Sequence, residues 1–391
     1  MKIGLIREEK KPFDRRVVLS PSQCKELSVS DNVRIFVQSS PHRCFSDNDY
    51  RDNGCVIQED MQECDILLGV KEVPVNCLIK NQTYMFFSHT IKKQEYNREL
   101  LKKLISNNIT MIDYEALRSN GKRLIGFGRF AGIVGSYNAF FAHGLKSNNF
   151  NIKRAYACQT LNLLYKELDK VILFNEKIIL TGKGKVAKGA REILDYLKIK
   201  EVNKDDFLNK NFNFPVYCNL DIQDYYERKD AGDFDKLEFY NSPILYKCKM
   251  RKFIKKSNIF IAGHFHNSQA GVILEKKDFL ETDLKVVSDI SCDIGVLACT
   301  TRESTITEPI YGYDAKNGVE VDYNLDSSIS VLAVSNLPCE IPIESSIDFG
   351  RNFIDLVFPL ILDNDQDLIN AIICENQSLT SRFSYLSDFA L

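Results

Sequence analysis

Short apolar runs alternate with amphipathic stretches over the first 115 residues: KIGLI, SPSQCKEL, VRIFVQ, DILLGV, TYMFFS, NRELLKKLI and NITMIDY follow one another. Apolar runs of this length between helical segments predict a parallel α/β sheet. The block GFGRFAGIVGSYNAFFAHGL, residues 126 to 145, puts small residues first and apolar ones at helical spacing. It predicts a long helix that starts near Ala131 and leaves the first domain. A second α/β series opens with KIILTG at residue 177 and continues with NIFIAG (258 to 263) and KVVSDIS (285 to 291). Residues 203 to 257 are charged and aromatic and predict no definite element. Near residue 336, NLPCEIPIESSIDFG reads as a joint, and the amphipathic NFIDLVFPLIL after it as a closing helix that packs back on the first domain.

One stretch of the second series carries chemistry. KIILTGKGKVAKGAREILDYL is a strand, a glycine turn and an amphipathic helix in that order. Gly182 suits the tight turn, Gly184 lets backbone N–H groups approach a pyrophosphate, and Ala187 holds the third small position of the dinucleotide pattern. A turn that merely joins strand to helix is the plainer alternative. About 20 residues further on, an acidic side chain usually takes the adenosine ribose. There the chain reads IKEVNKDD, which puts Glu201 in the second strand and Asn203 with Lys204 at its end. Asn203 can hydrogen-bond ribose hydroxyls but does not repel a 2′-phosphate, so NAD is expected and NADP stays open.

In the first series, DILLGVKEVP (65 to 74) ends its apolar run on Lys71, and MFFSHT (85 to 90) ends its own on His89. Ligands collect at the carboxyl ends of parallel strands, so the two side chains are candidates to share one site. Amine oxidation needs a proton acceptor for the substrate ammonium and a second group for water and carbinolamine protons. His89 suits either role unmodified. A lysine base must have its pKa lowered by about 3 units, which takes desolvation and neighbouring cations. Lys11, Arg16 and Arg123 are candidates for that effect and for holding substrate carboxylates. The competing view is a solvated strand-end lysine and a capping histidine.

Composition removes other classes. The net charge of −2 supplies no field for nucleic acid or an anionic membrane. No apolar run reaches the roughly 18 residues of a membrane span. The N-terminus enters a strand at once without a signal-peptide layout, which predicts a cytoplasmic protein. Twelve cysteines stand singly with no CxxC pair, so they read as reduced thiols and no metal site is expected.

Several blocks together resemble a known family. REEKKPFDRRVVLSP (7 to 21), GVKEVP (69 to 74), FFSHTIKKQ (86 to 94), IDYEAL (112 to 117) and GKRLIGFGRFAGIVG (121 to 135) resemble the lysine-forming saccharopine dehydrogenases of the alanine dehydrogenase superfamily. The resemblance continues through GKGKVAKGA, VVSDIS and NLPCEIPIESSIDFG and is weakest between 203 and 257. It implies two Rossmann-like α/β domains with parallel sheets and an active site in the cleft between them. The substrate domain would be 1–133 completed by 336–391, and the dinucleotide domain 134–335. It implies Lys71 as base for the secondary amine and His89 as acid–base group for imine hydrolysis. Arg16, Gln94, Arg123 and Phe127 would contact substrate, and Lys122 the cofactor. Gly184 and Lys185 would lie at the phosphate turn, with Asp289, Ile290 and Ser291 beside the nicotinamide.

Departures from the family are Lys122 where arginine is usual, Arg129 where an aromatic is usual, and GHFHNSQAG (263 to 271), whose His264 and His266 either line the cleft or are polar loop residues. The expected activity is NAD-dependent, reversible cleavage of saccharopine to lysine and 2-oxoglutarate, with small-molecule partners only. The alternatives are a dehydrogenase of alanine, which needs fewer of the cations Arg16, Arg123 and Arg129 than a substrate with three carboxylates, a dehydrogenase of another N-carboxyalkyl amino acid, and a non-catalytic nucleotide-binding homologue.

Overall fold

The computed structural model describes residues 1–390 except Pro12 and Asn32, and of Ser268 the backbone only. The chain divides into two compact units, Met1–Phe127 with Pro342–Leu391, and Gly128–Ile341.

In the first unit, six strands run parallel in the order Thr110–Asp113, Thr83–Phe86, Ile66–Leu68, Lys2–Leu5, Arg34–Val37, Val56–Ile57. The carboxyl-terminal strands Ile372–Glu375 and Ser378–Leu379 extend this sheet antiparallel from the Thr110–Asp113 edge. Ile3, Leu67, Leu68, Met85, Phe86 and Met111 are fully buried, as the unbroken apolar runs of a two-sided parallel sheet require. NRELLKKLI forms the helix Arg98–Ser106, which turns Leu100, Leu101 and Leu104 inward.

The second unit is also an eight-stranded sheet, in the order Lys200–Glu201, Val216–Leu220, Lys177–Thr181, Ile259–Ala262, Val286–Asp289, Ile329–Leu332, Tyr311–Asp314, Val319–Val321. The first six are parallel and the last two antiparallel. The strand beside Lys177–Thr181 is therefore Val216–Leu220, from the stretch that predicted no element. The anticipated second strand, Lys200–Glu201, is displaced to the edge.

The boundaries also differ from the expected 133 and 336. The long helix is Gly128–Ser147, beginning three residues before Ala131. Its first turns belong to the second unit because two glycines let it touch the helix Lys185–Tyr196. A Cβ on Gly132 would stand 1.9 Å from Val186 O, and one on Gly189 1.9 Å from Arg129 O. At the other boundary, the helix Pro342–Asn352 packs in the first unit, where Gly350 meets Gln23 and Phe349 joins an aromatic cluster.

Candidate active site

Lys71 and His89 each follow one of two neighbouring parallel strands. Gly69 N–H donates to Met85 O and Phe87 N–H to Val70 O, so the ladder continues past both strand ends and delivers the two residues at one carboxyl edge. Lys71 is half-buried, and its ammonium is held below the ordinary lysine range by burial and then by the charge of Arg16, with Lys10 adding to it and Glu72 and Asp14 opposing. Among the described residues no acceptor takes a hydrogen bond from its Nζ. The backbone that carries it is pinned by Glu8, whose carboxylate accepts from Val70 N at 2.6 Å and Lys71 N at 2.9 Å. Glu8 keeps some surface as a residue, yet its carboxyl is enclosed, and burial pushes it up to about 8 against those two donors.

His89 sits in the left-handed region, φ 53°, a conformation a histidine adopts only where its surroundings fix it. Its Nδ1 is 2.7 Å from Glu72 Oε1, and Lys10 Nζ is 2.8 Å from Glu72 Oε2. Glu72 is buried. Burial raises its carboxyl, but the His89 and Lys10 contacts outweigh that and pull it down to about 2. A carboxylate ionised this firmly fixes one ring nitrogen of His89 and leaves Nε2 as the exchanging atom. Glu72 was missed in the sequence, although it adjoins Lys71; acidic, and following a strand that ends on a candidate base, it was the available signal.

Around this pair the structure gathers further predicted residues. Arg16 is buried and forked on Asp14 through Nε at 2.9 Å and Nη2 at 2.6 Å. Its guanidinium lies 4.1 Å from the Phe127 ring centroid, and Phe127 stacks on Phe349 at 4.4 Å. Phe87, 6.3 Å from His89, packs on both phenylalanines. Gln94 is exposed and accepts from Tyr96 Oη at 2.9 Å, and Lys10 Nζ lies 5.3 Å from the Tyr96 centroid. Contacts thus run continuously from Arg16 to Gln94 through His89 and Glu72.

Other predicted residues stand apart from this run of contacts. Lys10, not Lys11, acts on Lys71; Lys11 Nζ lies over Phe13, 5.8 Å from its centroid. Arg123 is exposed on the hairpin of Arg118–Ser119 with Lys122–Arg123 and pairs with Glu115 at 3.3 Å, and Lys122 is exposed beside it. Arg129 is forked on Glu192 in the second unit, both contacts 2.7 Å.

At the carboxyl edge of the second sheet, Gly182 takes φ +96°, and a Cβ there would stand 2.6 Å from Gly263 O. Gly184 is the N-cap of the helix that starts at Lys185, with no side-chain cap and nothing within 4 Å of where a Cβ would be. A helix start without a side-chain cap, with open space beside Gly184, fits a pyrophosphate. Ala187 is buried under this turn. Asp289 ends its strand buried, accepting from Ser291 Oγ and Thr300 Oγ1, both at 2.7 Å. Burial holds its carboxyl above the usual range despite those donors. Ile290 packs against Gly135.

Asn203 is not at the strand end beside the glycine turn. It caps the helix Lys204–Asn209, accepting from Asp206 N at 2.8 Å, and follows the edge strand. The residue that follows the adjacent strand is Asp221, whose carboxylate accepts from Ile222 N at 2.8 Å and meets Lys236 Nζ at 3.1 Å. The polar-loop alternative suits half-buried His266 but not His264. His264 is buried, 2.6 Å from Thr181 Oγ1 through Nδ1, and burial drives it down to about 3. No group of three or more metal-ligating side chains occurs among the described residues, and no helix there is long and apolar enough to cross a membrane.

Residues 4–134 match the alanine dehydrogenase/PNT N-terminal domain family. The chain is 29% identical to an alpha-aminoadipic semialdehyde synthase of Arabidopsis thaliana over 98% of its own length and 41% of that protein. It is 28% identical to the mitochondrial alpha-aminoadipic semialdehyde synthase of Rattus norvegicus, over 98% and 47%. The chain therefore spans less than half the length of these two relatives. A saccharopine dehydrogenase [NAD(+), L-lysine-forming] of Candida glabrata is 25% identical over 89% of both chains. Among solved structures, an L-alanine dehydrogenase superposes over the full length of both chains with TM-score 0.65 at 15% identity. A transhydrogenase from Sinorhizobium meliloti does so over 97% of this chain and 98% of its own, with TM-score 0.57 at 14% identity. The chain is similar in sequence to the lysine-forming saccharopine dehydrogenases, and its two α/β units have the Rossmann-like fold of the alanine dehydrogenase and the transhydrogenase.

Proposed function

We propose that this chain is an oxidoreductase acting on a CH–NH donor, and that it reversibly cleaves saccharopine to lysine and 2-oxoglutarate. The observation that carries the reading is Lys71, an amine held below its ordinary pKa beside the His89–Glu72 pair at one strand edge. A bound nicotinamide dinucleotide supplies the hydride acceptor. Lys71, its ammonium held below the ordinary lysine range, in its neutral form takes the proton from the substrate's secondary ammonium so that the nitrogen lone pair can drive oxidation at the adjacent carbon. His89, with Nδ1 held on Glu72, uses Nε2 to deprotonate the water that attacks the imine and to return the proton to the leaving amine. Arg16, Gln94, Arg123 and Phe127 bind the substrate, with Arg16 also keeping Lys71 poised. In the second unit, Gly182, Gly184, Lys185 and Ala187 form the pyrophosphate turn, and Asp289, Ile290 and Ser291 the nicotinamide side.

The dinucleotide is NAD(H) in this reading, with Asp221 rather than Asn203 facing the adenosine ribose: a carboxylate accepts from the 2′- and 3′-hydroxyls and repels a 2′-phosphate. Titration with NADH and NADPH, then turnover with lysine plus 2-oxoglutarate and with pyruvate plus ammonia, tests both statements. NADH binding with lysine-dependent turnover is the expected result. Turnover with pyruvate and ammonia alone transfers the site to an alanine dehydrogenase, and tighter binding of NADPH overturns the assignment of Asp221.

A further inference from the structure

The stretch that predicted no element builds a small aromatic body next to Asp221. After the strand Val216–Leu220 the chain forms the hairpin Tyr226–Arg228 with Tyr246–Cys248, and the helix Lys236–Asn241 between its arms. Phe239 is fully buried there, 4.7 Å from Tyr226 and 5.2 Å from Tyr246, so the helix is anchored rigidly. The next residue, Tyr240, is turned outward and 38% exposed. It meets Phe265, 73% exposed, at a centroid distance of 6.4 Å. Two ties hold this pair in place. Asn267 Nδ2 donates to Tyr240 O at 3.0 Å, and Lys236 at the start of the helix bonds Asp221.

The position of the pair in the sheet gives it a role. Phe265 follows the strand Ile259–Ala262, which flanks Lys177–Thr181 on one side, and Asp221 follows the strand that flanks it on the other. These carboxyl ends border the crevice where strand order reverses, across which a dinucleotide lies. Asp289 lies beyond Ile259–Ala262, away from Asp221, so the nicotinamide half occupies that direction and the adenosine half this one. The doubly tied pair at that spot offers two exposed rings, tilted 51° to each other, and a ring face is what a purine stacks on.

We infer that Tyr240 and Phe265 form the adenine platform of the dinucleotide site, Tyr240 presented by the segment 221–250 and Phe265 by the loop after Ile259–Ala262. This rests on the dinucleotide reading of the glycine turn. The test is calorimetric titration of the full chain with NADH, with ADP-ribose for the adenosine half, and with reduced nicotinamide mononucleotide for the other half. Phe265→Ala and Tyr240→Ala each weaken NADH and ADP-ribose by about tenfold and by the same factor, while the mononucleotide is unaffected. Phe265→Tyr retains both affinities, and unchanged melting temperatures show that the fold persists. Equal affinities in the parent and in the double alanine variant overturn the platform, including when that variant changes self-association instead. A parent chain that binds none of the three ligands overturns the dinucleotide reading itself, and the platform with it.

Discussion

At Lys71, burial and the Arg16 charge act in one direction while Glu72 and Asp14 act in the other, and the balance leaves the amine below its usual range. Oxidation needs that amine neutral, so its rate rises with pH through the lowered pKa, and Lys71→Met should flatten that limb of the profile. Lys71→Met and His89→Gln should each lower turnover by about 10²- to 10⁴-fold. Glu72→Gln should cost less, about 10- to 10²-fold, because His89 remains but loses its fixed tautomer. Steady-state rates across pH 6 to 10 check all three; parent-like rates in both Lys71→Met and His89→Gln would return the pair to a capping role. Lys71 and His89 were legible because each ends an apolar run. Glu72 and Lys10 were not, because which charged neighbour of a strand end turns inward is decided by packing.

At the scale of elements, the strand Val216–Leu220 shows where sequence patterning runs out. Its VYCNL is an ordinary buried strand between Pro215 and Asp221, but the helix Lys204–Asn209 and the two-residue edge strand before it push it far past the usual spacing from the glycine turn. The rule that places the acid about 20 residues on assumes no such detour, and it pointed to Asn203 instead. Helix contacts are more rigid. Gly132→Ala would drive a methyl into Val186 O at 1.9 Å and Ala190 N at 2.7 Å, both backbone atoms that cannot swing aside. It should destabilise the protein by about 2–4 kcal/mol, seen as a lower denaturation midpoint.

The turn Leu337–Glu340 carries a pH dependence. Burial raises the Glu340 carboxyl to about 7, against hydrogen bonds from Asn138 Nδ2 and Tyr156 N and the charge of Arg154. The folded state thus holds a proton that the unfolded chain releases near pH 4.5. Its contribution is complete below the unfolded pKa and disappears as pH rises through 7, on the order of 3 kcal/mol. Glu340→Gln should therefore stabilise the protein at pH 8 and leave it nearly unchanged at pH 5. Equal effects of the substitution at both pH values in chemical denaturation would refute the buried-proton account.

For the whole molecule, the division of labour follows from which residues fall in which unit. Lys71, His89, Glu72, Arg16 and Phe127 all lie in the first unit, and the glycine turn, Asp221 and Asp289 in the second. The two-domain order was legible because each unit opens with its own strand–helix series. The boundaries were not, because Gly132 and Gly189 commit the first turns of the long helix to the second unit through contacts no local pattern reveals. If the units carry separate tasks, substitutions in them should separate experimentally. Lys71→Met should leave NADH affinity within about twofold of the parent while turnover falls, since proton transfer and dinucleotide binding use different side chains. Asp221→Ser removes the carboxylate that excludes a 2′-phosphate and frees Lys236 to meet one. It should weaken NADH by about tenfold, strengthen NADPH by a similar factor, and preserve the pH limb that belongs to Lys71. Binding titrations and pH–rate profiles on the two variants give four numbers. A Lys71→Met chain that loses NADH, or an Asp221→Ser chain that keeps the parent's cofactor preference, would show that the tasks are not divided this way.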